Sequence, residues 1–207
     1  MIDVFCAQSG KEKKRMIEIL VLAGGRAERF GSNKLLADLN GTPMVLHVPL
    51  RLQWDRRFHV TVVTCHGEVR KLCKANGISC VFSEECLQGL SGSIRAGVQA
   101  LAAEGAEAIC FCAGDQPFLQ ADTLAAFHKA WKASGKSMGS CLAGDDPTNP
   151  AIFSKECFPA LLSLEGDQGG RRILREDPED CFYWPLPNPD EARDIDTPEQ
   201  FLKEQPV

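Results

Sequence analysis

The sequence contains no apolar run near the roughly 20 residues that a membrane-spanning helix requires. It has no Cys-x-x-Cys pair either, although ten of its 207 residues are cysteine (6, 65, 73, 80, 86, 110, 112, 141, 157 and 181). Without paired spacing, a thiolate zinc site or a dithiol redox motif has no framework. Positive charge is not in excess: the net charge is −5, which argues against a general nucleic-acid binder. His47, His59, His66 and His128 stand without ligand spacing and suggest no metal site. There is no Walker A loop, since Lys34 is followed by Leu35 rather than Ser or Thr, and no G-x-G-x-x-G fingerprint. Internal repeats and low-complexity linkers are absent. The first residues place their basic side chains after a weak apolar stretch, which is not the order of a secretory signal.

What remains is an ordinary globular composition, 44% hydrophobic and 25% charged. A chain of this length forms one domain and buries about 70% of its unfolded surface, enough to fold without a disulfide or metal staple. Several cysteines lie inside apolar runs, so they read as reduced, buried, small hydrophobes of a cytoplasmic protein. The charge is uneven. Residues 176–204 contain ten acids and two bases, so the rest of the chain is mildly basic and able to hold an anion.

Apolar runs at 17–22, 59–64, 79–83 and 107–113 predict buried strands. Further strands are expected near 137–142, 150–153 and 180–184. Helices are expected over 43–54, with Pro43 at the start and a kink at Pro49, and over 67–76, 91–103 and 122–133. A short helix should follow Thr197-Pro198. Strands alternating with helices imply an α/β fold of three layers, α/β/α, around a mostly parallel sheet. Ligands of such sheets bind beyond the carboxyl ends of the strands. Residues 1–15, before Met16 as a natural start, read as an appended extension that is either disordered or a start-site artefact.

The loop after the first predicted strand, Leu22-Ala23-Gly24-Gly25-Arg26-Ala27-Glu28-Arg29-Phe30-Gly31-Ser32-Asn33-Lys34, is the sharpest feature. Adjacent glycines admit a ligand close to the backbone, and Arg26, Arg29 and Lys34 can face a polyphosphate. The alternative is a solvated basic turn. Gly89-Leu90-Ser91-Gly92-Ser93-Ile94 opens a helix with Ser91 as N-cap, leaving N–H groups for a ligand or serving only as a cap. Asp115 follows an apolar strand, where a carboxylate costs desolvation unless it is paired or binds a cation such as Mg²⁺. It could also be a turn former before Pro117. Asp194 and Asp196 alternate to one side of an extended segment with Ile195 opposite, either completing a cation site or capping the last helix. Asn149-Pro150 and Gly166-Asp167-Gln168-Gly169-Gly170-Arg171 are polar turns that could face a substrate.

Taken together and in this order, the motifs at 22–34, 89–94, 115–117, 150–153, 166–171 and 194–199 resemble the nucleotidyltransferases that activate molybdenum cofactor. The match is to the cytidylyltransferases, with the guanylyltransferases as sibling branch, and covers about residues 16–203. The resemblance implies a Rossmann-like nucleotidyltransferase domain over 16–207. It also implies an Mg²⁺-dependent reaction in which the phosphate of molybdopterin or molybdenum cofactor attacks CTP and expels diphosphate. On this resemblance Arg29 and Lys34 are the catalytic cations. Leu22, Ala23, Gly24, Gly25, Ser91, Gly92 and Ser93 line the nucleotide pocket. Asp115 and Asp196 hold Mg²⁺, and Asn149, Asp167 and Arg171 lie toward the pterin. Ala27 stands where the family commonly has Ser. Leu22-Ala23-Gly24-Gly25 matches the guanylyl version of the first motif, whereas 89–93 and 194–196 match the cytidylyl branch. CTP is the expected base donor and GTP its rival. The implied partners include a recipient molybdoenzyme or its chaperone. Other readings are transfer to another phosphorylated acceptor, or a nucleotide-binding protein that delivers the cofactor without turnover.

Overall fold

The computed structural model describes residues 2–5, 16–25 and 34–204. Arg29, expected to face a polyphosphate, and the rest of 26–33 lie outside the described residues.

In chain order the strands are β1 (Ile2–Phe5), β2 (Ile17–Leu22), the two-residue β3 (Asp38–Leu39) and β4 (Thr42–Pro43), β5 (Phe58–Thr64), β6 (Ser79–Ser83), β7 (Ala108–Ala113), β8 (Met138–Ala143), β9 (Asp146–Ser154) and β10 (Cys181–Pro185). The helices are α1 (His47–Leu52), α2 (Gly67–Ala75), α3 (Leu90–Ala103), α4 (Ala121–Ser134), α5 (Phe158–Leu162), α6 (Arg171–Glu176) and α7 (Pro198–Lys203). One eight-stranded sheet has the order β1-β6-β5-β2-β7-β9-β8-β10. Four of its pairings are parallel, and the antiparallel ones are β1–β6, β7–β9 and β8–β9.

Strand β2 is central, flanked by β5 and β7, and its Ile19, Leu20 and Val21 are fully buried. A strand covered on both faces reads as a continuous apolar run, which is why Ile19-Leu20-Val21-Leu22 is visible in the sequence. Ile19 and Val21 join one core with Val69 and Cys73 of α2 and Leu124, Phe127 and Trp131 of α4. Leu20 points the other way, into a core with Ile94, Val98 and Leu101 of α3, Leu161 of α5 and Ile173 and Leu174 of α6. The period-two alternation of β2 thereby separates two helical layers, giving the three-layer Rossmann-like α/β/α fold. No helix among the described residues is long and apolar enough to cross a membrane.

Two sequence expectations change. Residues 2–5 are not a disordered extension: Ile2–Phe5 pairs antiparallel with β6, covering an edge that would otherwise present unpaired backbone groups. Ile2 packs on the core and Asp3 pairs with Arg70. The helix expected over 43–54 is a 3-10 turn over Met44–Leu46 followed by α1. Pro49 causes no break because it stands in the first turn of α1, where N–H groups lack intrahelical partners. The nine described cysteines are free thiols, all buried except the partly exposed Cys65.

Candidate functional site

The carboxyl ends of β2 and β7 lie side by side, and the backbone N–H of Gly114 donates to Leu22 across 3.0 Å. Both strands therefore release their loops at one point. Asp115 follows β7, while Lys34 begins a 3-10 turn anchored by buried Leu35. The Lys34 ammonium donates to Asp115 Oδ2 at 2.7 Å and to Asp196 Oδ1 at 2.6 Å. These three residues, far apart in sequence, form one charged cluster.

The position of Asp196 is set locally. Thr197 caps α7 in a reciprocal box with Gln200, and the Asp196 N–H donates to Gln200 Oε1 at 2.7 Å. With the cap supplied by Thr197, the Asp196 carboxylate is left to Lys34. Ile195, opposite it, is buried with Leu39 and Met44. The segment is fastened to the Asp115 turn twice: Ile195 N donates to Asp115 O at 3.1 Å, and Gln116 Nε2 to Ala192 O at 2.8 Å. Asp194 also faces the cleft; burial, then the charge of Asp115, raises its pKa above the ordinary carboxylate value.

Burial pulls the Lys34 ammonium toward neutrality, but its hydrogen bonds to Asp115 and Asp196 outweigh this and raise its pKa overall. The Lys34 side chain thus bridges the two acidic residues. Two carboxylate oxygens converging on one cationic nitrogen are also a donor set that suits Mg²⁺, which is bound by one or two carboxylates together with substrate phosphates. Among the described residues no three His, Cys, Asp or Glu side chains form a closed cage for a metal. A cation here would therefore depend on ligand oxygens for the rest of its shell.

The cluster opens into a cavity of about 1330 Å³. Its wall includes Leu22, Gly24, Gly25 and Ser93 together with Asn149, Asp167 and Arg171. A β-bulge between Ser140 and Cys141 lets the Ser140 hydroxyl donate to Thr148 O at 2.9 Å, and both residues line the same wall. Gly24 is required by packing: a Cβ there would lie 2.3 Å from Ser93 Oγ and 2.7 Å from Cys86 Cβ.

Three residues expected in the nucleotide pocket stand behind its surface. Ala23 is buried. Gly92 packs so tightly that a Cβ would fall 1.8 Å from Glu85 O. Ser91 is not the N-cap: Gly89 is, with φ +100, and the Ser91 N–H is occupied by Gly166 O at 3.1 Å. The Ser91 hydroxyl accepts from Arg95, which also holds Leu164 O. Small residues at this helix start therefore serve close packing rather than open donors.

One feature escaped the sequence reading. The consecutive residues Thr64, Cys65 and His66, at the carboxyl end of β5, hold the consecutive carbonyls of Ala23, Gly24 and Gly25. Thr64 Oγ1 donates to Ala23 O at 2.8 Å, Cys65 Sγ to Gly24 O at 3.7 Å, and His66 Nε2 to Gly25 O at 3.1 Å. The parallel register of β2 and β5 sets the two segments side by side, a relationship that no local pattern announces.

Comparison with known proteins agrees with this architecture. The chain is 30% identical to the purine catabolism protein PucB of Bacillus subtilis, over 87% of this chain and 91% of that protein. It is 29% identical to a molybdenum cofactor guanylyltransferase of Rhodobacter capsulatus, over 89% and 92%. Its fold matches the crystal structure of Rv0371c from Mycobacterium tuberculosis H37Rv with a TM-score of 0.75, at 22% identity and over 91% and 97% of the two chains. That mycobacterial protein has also been crystallised in complex with manganese. The family model for the MobA-like NTP transferase domain matches residues 19–181. With the strand-end cluster and its cleft in place, the chain belongs to the MobA-like NTP transferases, a family of nucleotidyltransferases.

Proposed function

We propose that this nucleotidyltransferase moves CMP from CTP to the phosphate of molybdopterin or molybdenum cofactor, releasing diphosphate. The observation that supports it best is Lys34 held between Asp115 and Asp196 at the edge of a cleft that Gly24 and Gly25 also line. In the reaction an acceptor phosphate oxygen bonds to the α-phosphorus, and the bond from that phosphorus to the oxygen of the leaving diphosphate breaks. The acceptor is already ionised, so no side chain needs to act as base. Such displacements are promoted mainly by positioning and charge neutralisation.

Lys34 would neutralise the triphosphate and Asp115 and Asp196 would hold Mg²⁺, with Arg29 as a second triphosphate cation. Mg²⁺ bound there would offset charge developing on the phosphate oxygens. Gly24 and Gly25, with Ser93 and Leu22 beside them, would receive the nucleoside. Asn149, Asp167 and Arg171 would face the pterin. The cytoplasm suits the free thiols, and the product would pass to a molybdoenzyme or its chaperone.

A guanylyl transfer from GTP is the second reading. It is favoured by Leu22-Ala23-Gly24-Gly25 and by the name of the Rhodobacter relative. The experiment is to supply molybdenum cofactor with each of the four nucleoside triphosphates and measure diphosphate. Preference for CTP supports the first reading and preference for GTP the second. Equal rates with all four would sink base recognition by 22–25 and 93, and no release with any would sink the acceptor.

A further inference from the structure

The segment that carries Asp194 and Asp196 runs back along the residues that follow β7. Its ties nearest the charged cluster are those from Ile195 N to Asp115 O and from Gln116 Nε2 to Ala192 O. Further along, the Arg193 guanidinium lies over the Phe118 ring, 4.7 Å from its centroid. Glu191 then reaches the start of α4. Its Oε2 accepts from the Gln120 N–H at 2.9 Å and its Oε1 from the Thr123 hydroxyl at 2.9 Å. From Asp115 to Gln120 the partners move from Ile195 to Glu191, so the two segments run in opposite directions as a strap along a rail.

Glu191 is only 7% exposed, which is rare for a carboxylate. Taken out of water, it needs donors for both oxygens. The start of α4 supplies them and gains in return. The N-cap residue Gln120 makes no side-chain cap of its own, so this helix is capped by a residue 71 positions later. The negative charge also faces the positive end of the helix. The other side of the rail is held by Arg51 of α1, whose Nη1 donates to Pro117 O at 3.0 Å and to Leu119 O at 2.6 Å. Burial lowers the pKa of Arg51, and the charge of Glu191 acts against that. The turn that carries Asp115 is therefore fixed from behind, and the strap is fastened along its front.

We infer that Glu191 is a positioning residue for the charged cluster: by pinning the far end of the strap to the start of α4, it sets the spacing of Asp115 and Asp196 and with it their affinity for a divalent cation. This rests on the cation role proposed for those two carboxylates. Asp196 lies five positions beyond Glu191, and the capping box of Thr197 holds the other end of that stretch. Pinning both ends removes conformations in which the two carboxylates stand apart. Residues that orient metal ligands without touching the metal commonly change its affinity by about 10- to 100-fold.

The test compares wild type, Glu191→Ala and Glu191→Gln. Mn²⁺ affinity is read from the electron paramagnetic resonance of the free ion. Hydrogen exchange of the Ile195 amide, which donates to Asp115 O, is followed by NMR against that of Leu20 in the central strand. Glu191→Ala is expected to weaken Mn²⁺ by about tenfold and to speed exchange at Ile195 far more than at Leu20. Glutamine keeps an acceptor for Gln120 and offers a donor to Thr123, so Glu191→Gln should stay within about twofold of wild type. Unchanged Mn²⁺ affinity in Glu191→Ala overturns the proposal. So does an equal loss in Glu191→Gln with Ile195 still protected, which would mean that charge acts at a distance rather than through position. If wild type binds no Mn²⁺, the cation reading of Asp115 and Asp196 fails, and Ile195 decides the rest. Selective loss of its protection keeps Glu191 as the anchor that spaces the pair, and parallel loss at Leu20 overturns that too. Should Glu191→Ala not fold, Thr123→Val removes one of the two contacts and is expected to shift both readings in the same direction by less; wild-type values for it overturn the proposal.

Discussion

Lys34 donates to Asp115 across 2.7 Å, and the same ammonium reaches Asp196 at 2.6 Å. The contact joins the loop after β2 to the loop after β7 and both to the segment before α7. Replacing Lys34 with Met leaves the Asp115 and Asp196 side chains without their shared cation and removes the donor proposed for the triphosphate. Turnover is expected to fall by about 10²–10³-fold, the usual effect of deleting one charge-stabilising donor. Diphosphate release, with nucleotide affinity measured alongside, checks this; near-normal turnover would remove Lys34 from the reaction.

Asp115→Asn keeps the shape of the turn but removes its charge. Its side chain is 26% exposed, so melting temperature should change little while diphosphate release falls by about two orders of magnitude or more. In wild type, a chelator should abolish turnover, and added Mg²⁺ or Mn²⁺ should restore it. Activity that survives chelation would overturn the cation assignment.

Gly24→Ala should destabilise the fold by about 1–3 kcal/mol, the cost of overpacking a tight site. The cause is specific: the new methyl meets Ser93 Oγ at 2.3 Å. Ser93→Gly in the same chain is expected to recover part of the loss, seen as a return of the denaturant midpoint. Two strictly additive effects would show that the contact is not responsible.

The Thr64-Cys65-His66 tether predicts a graded series. Thr64→Val removes a buried donor to Ala23 O and should cost about 1–3 kcal/mol. Cys65→Ala and His66→Ala release the carbonyls of Gly24 and Gly25 and should raise the nucleotide KM a few-fold, with kcat largely kept. Cys65→Ser keeps a donor and should stay near wild type. A fall in kcat with unchanged KM would argue against a positioning role.

Asp180 gives a pH signature away from the site. The Ser137 hydroxyl, and then its backbone N–H, hold this carboxyl below its ordinary value of 3.8 and tie the start of β10 to the turn before β8. A depressed acid stabilises the fold above its unfolded pKa, and the contribution is lost as pH falls through the lower folded value. Asp180→Asn should therefore cost roughly 1 kcal/mol at neutral pH. The gap from wild type should narrow as pH falls below the ordinary carboxylate value and close once the folded carboxyl is protonated, as read from urea midpoints at several pH values.

Fold class and the identity of the charged residues were legible in the chain alone. Continuous apolar runs such as 17–22 mark strands covered on both faces, and the spacing of Ile94, Val98 and Leu101 marks a helix on the sheet. Asp115 was legible because a carboxylate after an apolar strand requires a partner, Lys34 because it closes a basic glycine loop, and Asp196 because it alternates with buried Ile195. Tertiary structure decided the rest. Only the adjacency of β2 and β7 and the folding back of 192–196 bring those three side chains together. Only the β2–β5 register aligns Thr64, Cys65 and His66 with the glycine loop. Ser91 and Gly92 carry no mark in the sequence of whether they face a ligand or a neighbouring backbone. Glu85 and Gly166 settle that, because packing at a close approach depends on what crosses there and not on the local chain.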